Sequence, residues 1–200
     1  MKNLFKLTCT FALASMLAAC TSQEDIDNFN TLSQDQKVIK LQSLNNLEEH
    51  GKLALITHTN SKLPAINCTY KYKKSSFSLE LTGPMGMQYA MLEVYAGGTT
   101  YLKISGDLYK GDNARKLLKQ EFNLDIPVED IPSIMLGTPK GKLSYDENGF
   151  VKSAVYKDEY MVKYSDYTYF RGGYPLPKGI EIINALATIK IRIYEVTVIN

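Results

Sequence analysis

Apolar and polar residues alternate along most of the chain after residue 65. Residues 66–72, 77–81 and 187–193 show this pattern most clearly, with every second residue apolar. Successive side chains of a strand point to opposite faces of a sheet, so a period of two predicts strands with one apolar face. Turn signals such as residues 146–149 (Asp-Glu-Asn-Gly) allow neighbouring strands to pair antiparallel. The sequence therefore predicts a mainly β, α+β chain built on a strongly curved antiparallel sheet.

Further strands are expected where the same alternation or a short apolar run recurs. These segments are residues 87–95, 99–105, 142–145, 150–156, 160–164 and 180–183. In the last strand, residues 187–199, the apolar phase shifts at Tyr194, which predicts a β-bulge or a change of sheet face. The sequence shows no internal repeat, so we expect residues 33–200 to form a single domain.

Three short helices are expected beside the sheet. Ser33 and Gln36 form a capping-box pattern, after which apolar residues recur at helical spacing through Leu47, until His50 and the glycine after it offer a stop. Asp112 is a candidate N-cap for a second helix, and Pro127 can open a third. Helices over the mouth of a curved sheet can enclose a hydrophobic cavity.

The amino-terminal segment has the pattern of a lipoprotein leader. Two lysines precede an apolar run at residues 7–16, and the run closes with Leu17-Ala18-Ala19-Cys20, which resembles a bacterial lipobox. The run is too short to span a bilayer and ends in small residues, so we expect a signal peptide over residues 1–19 that is removed. An ordinary secretory leader cut nearby is the alternative. Residues 20–32 are polar and predict a flexible tether.

The lipobox resemblance implies a covalent lipid on Cys20, S-diacylglycerol together with an N-acyl chain, and no other cofactor is expected. Thr21 follows this cysteine, whereas enteric bacteria retain lipoproteins in the inner membrane when Asp stands there. The resemblance therefore implies an anchor in the outer membrane.

Charge and cysteine content exclude several classes of protein. The chain has 23 basic and 21 acidic residues, and removal of the leader takes away Lys2 and Lys6, so basic and acidic residues balance. No global field then favours nucleic acid as a partner. Cys9 leaves with the leader and lipidation consumes Cys20, so Cys68 is the one remaining thiol and a disulfide framework is excluded.

Catalytic and metal-binding motifs are absent from the sequence. The two histidines, His50 and His58, stand in no ligand spacing such as HExxH, and neither GxSxG nor a Walker loop occurs. We therefore expect that the protein is not an enzyme and holds no metal. An enzyme with an unrecognised site remains an alternative.

Four segments resemble, in order and spacing, the outer-membrane lipoprotein receptor LolB family. They are residues 77–86 (FSLELTGPMG), 124–139 (LDIPVEDI through GTP), 160–164 (YMVKY) and Leu176-Pro177. The resemblance covers most of the chain after the leader. Members of this family usually carry tryptophans where this chain has Ile134 and Tyr160, and this chain has none.

The resemblance implies an unclosed antiparallel half-barrel, with helices as a lid over the cavity. It also implies a receptor that faces the periplasm, accepts acylated lipoprotein cargo from a LolA-type carrier and releases it into outer-membrane phospholipid. We expect a monomer. The alternative function is an outer-membrane lipoprotein that binds a lipid or protein partner for envelope assembly without carrier-dependent transfer.

Three sets of candidate site residues follow from the resemblance and the strand pattern. The acyl-chain cavity is expected to include Tyr70, Phe77, Leu79, Leu81, Met91, Ile134 and Met135. In the LolB family a loop with an exposed apolar tip is implicated in membrane insertion, and by position it matches Met85 between Pro84 and Gly86. Lys71, Lys73 and Lys74 could dock an acidic carrier, although a solvated strand face is the simpler interpretation.

Overall fold

The structure, a computed structural model, describes residues 22–57, 64–157, 159–170 and 172–199. The expected leader at residues 1–19 and the expected lipidation site Cys20 lie outside the described residues, as does His58. The tether, which was expected over residues 20–32, is described from Ser22 onwards.

The described residues form one antiparallel sheet of eleven strands, which confirms the expected fold class. The strands are β1 (Asn46–Thr57), β2 (Ile66–Lys73), β3 (Ser76–Thr82), β4 (Gln88–Val94), β5 (Thr100–Ile104), β6 (Asp107–Gly111), β7 (Lys142–Tyr145), β8 (Val151–Tyr156), β9 (Tyr160–Phe170), β10 (Tyr174–Asn184) and β11 (Ala187–Ile199). Their order in the sheet is β6-β5-β4-β3-β2-β1-β11-β10-β9-β8-β7. β6 and β7 stand at the two edges, so the sheet is unclosed.

The order of the strands divides the sheet into two meanders. β1 to β6 follow one another from the centre to one edge, and β7 to β11 return from the other edge to the centre, where β1 pairs with β11. The connection between the edge strands carries two helices, α3 (Ala114–Phe122) and α4 (Ile131–Met135). A chain that leaves one edge of a curved sheet and enters at the other can cross its inner face, and the buried residues of α3 and α4 belong to the same core as the sheet.

The phase shift at Tyr194 is a β-bulge, as predicted. His50 pairs with Glu195 and Gly51 with Ile193, which leaves Tyr194 as the extra residue of β11. A Cβ at Gly51 would lie 2.2 Å from the carbonyl oxygen of Arg192, so the close approach of the two strands here requires glycine.

The expectation of a flexible tether is wrong for residues 23–30, which form helix α1 (Gln23–Asn30). The side chain of Ser22 caps this helix by accepting from the N–H of Asp25, and Phe29 is buried. The Tyr169 hydroxyl on β9 donates to the side-chain oxygen of Asn30 at 2.6 Å. The buried ring of Phe29 therefore attaches to the sheet a segment that is otherwise polar enough to be unstructured.

The second helix, α2 (Gln34–Gln42), begins as predicted but ends earlier. The capping box is present, since Ser33 accepts from the N–H of Gln36 and the Gln36 side chain accepts from the N–H of Ser33. Leu47, expected in the helix, instead lies in β1, where it is buried opposite Tyr72. Leucines three residues apart fit a helix, but the alternation that starts at Leu47 fits the sheet, and burial in the sheet determines the outcome.

Other boundaries differ from the sequence prediction for local reasons. Asn113, rather than Asp112, caps α3 by accepting from the N–H of Lys116. β6 was not expected. β9 and β10 are longer than expected. Proline is unusual inside a strand, so the sequence did not predict that Pro175 and Pro177 pair with β9.

Candidate hydrophobic binding site

A cavity of about 170 Å³ lies between the inner face of the sheet and the helical connection. The sheet contributes residues from both meanders, including Leu53, Leu55, Tyr70, Leu79, Leu81, Ala90, Leu92, Leu102, Ile104, Ile182, Ile189 and Ile191. The connection contributes Leu118, Leu124, Ile126, Val128, Ile131, Ile134 and Met135. Nearly all of these side chains are hydrocarbon, so the cavity suits an apolar ligand.

The structure brings five of the seven expected cavity residues together. Tyr70, Leu79, Leu81, Ile134 and Met135 all line the cavity. The same alternation identifies lining residues that sequence reasoning missed. Leucines 53 and 55 and isoleucines 182, 189 and 191 lie on the inner face of their strands and line it too.

The other two expected residues do not line this cavity. Phe77 is buried beside it, with its ring centroid 6.0 Å from that of Tyr70. Met91 belongs to the opposite face of β4, because its neighbour Leu92 is the buried lining residue and Gln88 donates to the Met91 sulfur. β4 is apolar on nearly both faces, so its facing was ambiguous by one residue.

Helix α4 is attached to β9 through buried hydroxyl groups. The Tyr164 hydroxyl donates to the carbonyl oxygen of Ile134 at 3.0 Å, and the Tyr160 hydroxyl donates to Oδ2 of Asp130 at 2.7 Å. Lys140 donates to the other Asp130 oxygen at 2.8 Å. Burial, together with the bond to Asp130, holds the pKa of the Tyr160 phenol well above its ordinary value. These contacts fix α4 to the sheet.

Helix α3 is attached through charged groups near the surface, which we call the Arg115 cluster (Arg115, Lys119, Asp125, Glu129 and Glu159). Arg115 donates to Asp125 at 2.5 Å, to Glu159 at 2.9 Å and to Glu129 at 3.4 Å, and Lys119 donates to Asp125 at 3.0 Å. Hydrogen bonds from Arg115 and then Lys119 lower the pKa of the Asp125 carboxyl. Glu159 precedes β9, so the cluster joins α3 to the sheet.

The expected insertion loop forms an exposed apolar tip between β3 and β4. Pro84, Met85 and Gly86 form a 3-10 turn in which Met85 has a φ of 60° and is 97% exposed. Met87 and Tyr89 are also exposed, and we call Met85, Met87 and Tyr89 the apolar tip. A solvated turn with this much apolar surface is typical of a contact site for another apolar surface.

The three expected docking lysines lie at the other end of β3 from the apolar tip. Lys71 and Lys73 are on the exposed face of β2, and Lys74 is in the turn that follows. The Lys71 ammonium is 3.2 Å from Oε1 of Glu48, and the same oxygen is 3.1 Å from Nε2 of His50. Lys71 is therefore partly neutralised, whereas Lys73 and Lys74 are exposed.

Within residues 22–57, 64–157, 159–170 and 172–199, no group of three or more His, Cys, Asp or Glu side chains is placed to hold a metal ion. None of the helices described is long and apolar enough to cross a membrane.

Comparison with known proteins gives one consistent result. A family model described as outer membrane lipoprotein LolB matches residues 45–195. The outer-membrane lipoprotein LolB of Aeromonas salmonicida is 26% identical over 197 residues, covering 98% of each chain, and that of Haemophilus influenzae is 24% identical over 206 residues, also covering 98% of each. The solved structure of a LolA superfamily protein from Nitrosomonas europaea has the same fold, with a TM-score of 0.55 and 9% identity over 85% of this chain and 95% of that one.

Proposed function

Because the chain belongs to the LolB family of outer-membrane lipoproteins, we propose that it is a receptor that accepts acylated lipoproteins from a LolA-type periplasmic carrier and inserts them into the outer membrane. The observation that carries the proposal is the apolar cavity beneath a helical connection, in a molecule that also presents an exposed apolar tip. The cavity can hold acyl chains, and the apolar tip can contact the lipid of a bilayer.

The physical need for such a receptor follows from the cost of exposing acyl chains. Three chains of about fifteen methylenes, at about 0.8 kcal/mol each, would cost on the order of 36 kcal/mol in water. Transfer from the cavity of a carrier to the cavity of a receptor keeps this cost nearly constant. A small difference in affinity can then drive transfer without ATP.

The cavity must enlarge to hold this cargo. Its volume of about 170 Å³ is below the range of roughly 300–1,000 Å³ that ligand sites occupy. We assign the movement to α3, because its buried side chains, such as Leu117 and Leu118, make apolar contacts and its polar contacts are partly exposed ion pairs, whereas buried hydroxyls fix α4. We therefore propose that cargo enters as α3 moves away from the sheet.

Membrane insertion is assigned to Met85. Pro84 and Gly86 set the turn that presents its side chain, and lipid contact would bury apolar surface that water now covers. In this proposal the tip dips into the bilayer surface and the cargo leaves through the loosened cavity.

The membrane anchor is proposed to be the lipid on Cys20 after removal of residues 1–19. Mass spectrometry of the protein isolated from membranes tests this step. A mature amino terminus at Cys20 that carries acyl groups is expected, whereas an unmodified terminus at another residue would contradict it.

The experiment that tests the whole function is transfer of a labelled acylated lipoprotein from purified carrier to the protein beginning at Thr21, followed by addition of liposomes. We expect label to move onto the protein and then into the liposomes. Cargo that stays on the carrier would contradict the receptor function and would favour a lipid-binding or structural lipoprotein.

Met85→Glu isolates the insertion step in the same assay. The variant is expected to accept cargo normally and to deliver it poorly, because a charge at the tip opposes entry into lipid. Ile39→Glu is the matched control, since Ile39 is 66% exposed on α2 and the tip is left intact. Normal delivery by Met85→Glu would remove the assignment.

Carrier docking is proposed for Lys73 and Lys74, with Lys71 contributing less because Glu48 pairs with it. Exchanging Lys73 and Lys74 for Glu should slow acceptance of cargo, most strongly at low salt, because steering between opposite charges is screened by ions. Acceptance at the wild-type rate in low salt would identify these lysines as a solvated strand face.

A further inference from the structure

Three oxygen atoms inside the described part of the protein are buried without a hydrogen-bond partner. They are both carboxyl oxygens of Glu49 and the hydroxyl oxygen of Tyr70. Glu49 is 0% exposed and Tyr70 is 1% exposed. Buried polar groups are nearly always paired, because leaving one unpaired costs stability, so an unpaired set in one place needs an explanation.

The two residues are direct neighbours in the sheet, and one of them lines the cavity. Glu49 on β1 pairs with Tyr70 on β2, and both side chains lie on the inner face. Tyr70 lines the cavity, where it is the one lining residue whose side chain carries an oxygen or nitrogen. Glu49 lies beside Tyr70, in the same cross-strand row as the lining residues Leu79 and Leu92.

Both groups carry a proton that they can donate. Burial raises the pKa of Glu49 to about 8, so its carboxyl is mainly neutral at pH 7. Burial, and then the neighbouring Glu49, raise the pKa of the Tyr70 phenol well above its ordinary value. Two neutral donors in apolar surroundings match the two lone pairs of one carbonyl oxygen.

We propose that the Tyr70 hydroxyl, together with the Glu49 carboxyl, is a hydrogen-bonding subsite for the ester or amide carbonyl through which an acyl chain is linked. The inference rests on the proposed function and names the chemical group that the cavity selects. A carbonyl is uncharged, so it enters an apolar cavity at far lower cost than an ionised fatty acid. An alkyl chain without a carbonyl leaves both donors unpaired.

The other buried tyrosines of the site supply the contrast. The hydroxyls of Tyr160 and Tyr164 are occupied by Asp130 and by the carbonyl of Ile134 and hold α4 in place. Tyr164→Phe therefore removes a structural hydrogen bond, whereas Tyr70→Phe removes a hydroxyl that has no partner in the described structure.

The test compares two lipopeptides that differ in the linkage alone, one with two ester-linked hexadecanoyl chains and one with two ether-linked hexadecyl chains. The assay uses protein beginning at Thr21, which lacks the expected leader and lipidation site and keeps every helix and strand described above. The wild type should bind the ester form about 3- to 100-fold more tightly, which is the range that one or two net hydrogen bonds supply. Tyr70→Phe keeps the Glu49 donor, so it should lose most but not all of this preference, and it should melt no lower than the wild type.

Two further variants make the result specific. Tyr164→Phe should melt at a lower temperature and keep the ester preference, and Glu49→Leu should lose part of that preference. Equal binding of the two lipopeptides by the wild type, or an ester preference that is undiminished in Tyr70→Phe, would overturn the subsite alone. Failure of the wild type to bind either lipopeptide would overturn the proposed function and the subsite with it.

Discussion

The two helices over the cavity are held by different kinds of contact. α4 is joined to β9 by buried tyrosine hydroxyls and by Asp130, which is 4% exposed. α3 is joined to the sheet by the Arg115 cluster, whose ionic side chains are between 25% and 63% exposed. Buried hydrogen bonds resist opening, and exposed ion pairs contribute little. This difference is the reason that the proposed opening assigns movement to α3 and keeps α4 fixed.

Loss of the buried hydrogen bonds that hold α4 should have the largest effect on stability. Asp130→Ala leaves the Tyr160 hydroxyl without its acceptor in a buried site, so we expect the free energy of unfolding to fall by about 2–3 kcal/mol. Urea denaturation measures this change. Glu129→Ala, next to Asp130 but 54% exposed, is the control and should change stability by less than about 0.5 kcal/mol. An Asp130→Ala protein as stable as the wild type would contradict the distinction between the two helices.

Loss of the Arg115 cluster, which holds α3, should change the rate of lipid entry more than it changes the stability of the fold. Arg115→Gln removes three ion pairs that are partly exposed, so we expect the free energy of unfolding to change by less than about 1 kcal/mol. Entry of a fluorescent lipid into the cavity should become several-fold faster, because the closed position of α3 loses its contacts to Asp125 and Glu159. Stopped-flow fluorescence measures the rate.

The control for Arg115→Gln is Lys116→Gln, which removes an exposed charge from the same helix outside the cluster. Its entry rate should equal that of the wild type. If both variants behave alike, α3 is not held by the Arg115 cluster.

Acid should produce the smallest change, and in a defined direction. Arg115 and Lys119 lower the pKa of Asp125 in the folded protein, so its contribution to holding α3 is present above the unfolded pKa of about 3.9 and is lost as pH falls through the lower folded value. Lipid entry should therefore quicken modestly below about pH 4 in the wild type. The rate of lipid entry into Arg115→Gln should depend less on pH. A pH profile identical to that of the wild type would contradict the role of the Arg115–Asp125 contact in holding α3.

The sheet could be predicted from the sequence because its signal is repeated along the chain. Alternation in β2, β3 and β11 identified strands, inner face and even the bulge at Tyr194, since a shift of phase is visible in one strand. The prediction was wrong where the apolar pattern is weak or where prolines interrupt it. α1 depends on a single buried residue, Phe29, and the two prolines of β10 concealed half of that strand.

The site could be predicted only where it shares the pattern of the sheet. Five of the seven residues predicted from alternation and the family resemblance lie at the cavity wall, whereas Phe77 lies beside it and Met91 lies on the other face of β4, which is apolar on nearly both faces. The Arg115 cluster joins Asp125, Glu129 and Glu159, and no spacing rule links positions that only the fold brings together. The burial of Glu49 was hidden too, because its pattern was attributed to a helix.

The pairing of β1 with β11 has a consequence for how the chain folds. Residue 46 meets residue 199, so the centre of the sheet joins the strands that lie furthest apart in sequence. Such contacts form slowly, and during synthesis β1 must wait for the last strand while its unpaired edge can aggregate. The thirteen residues of β11 thus determine whether the two meanders become one molecule, and a chain released before β11 is complete would hold two half-sheets and no cavity.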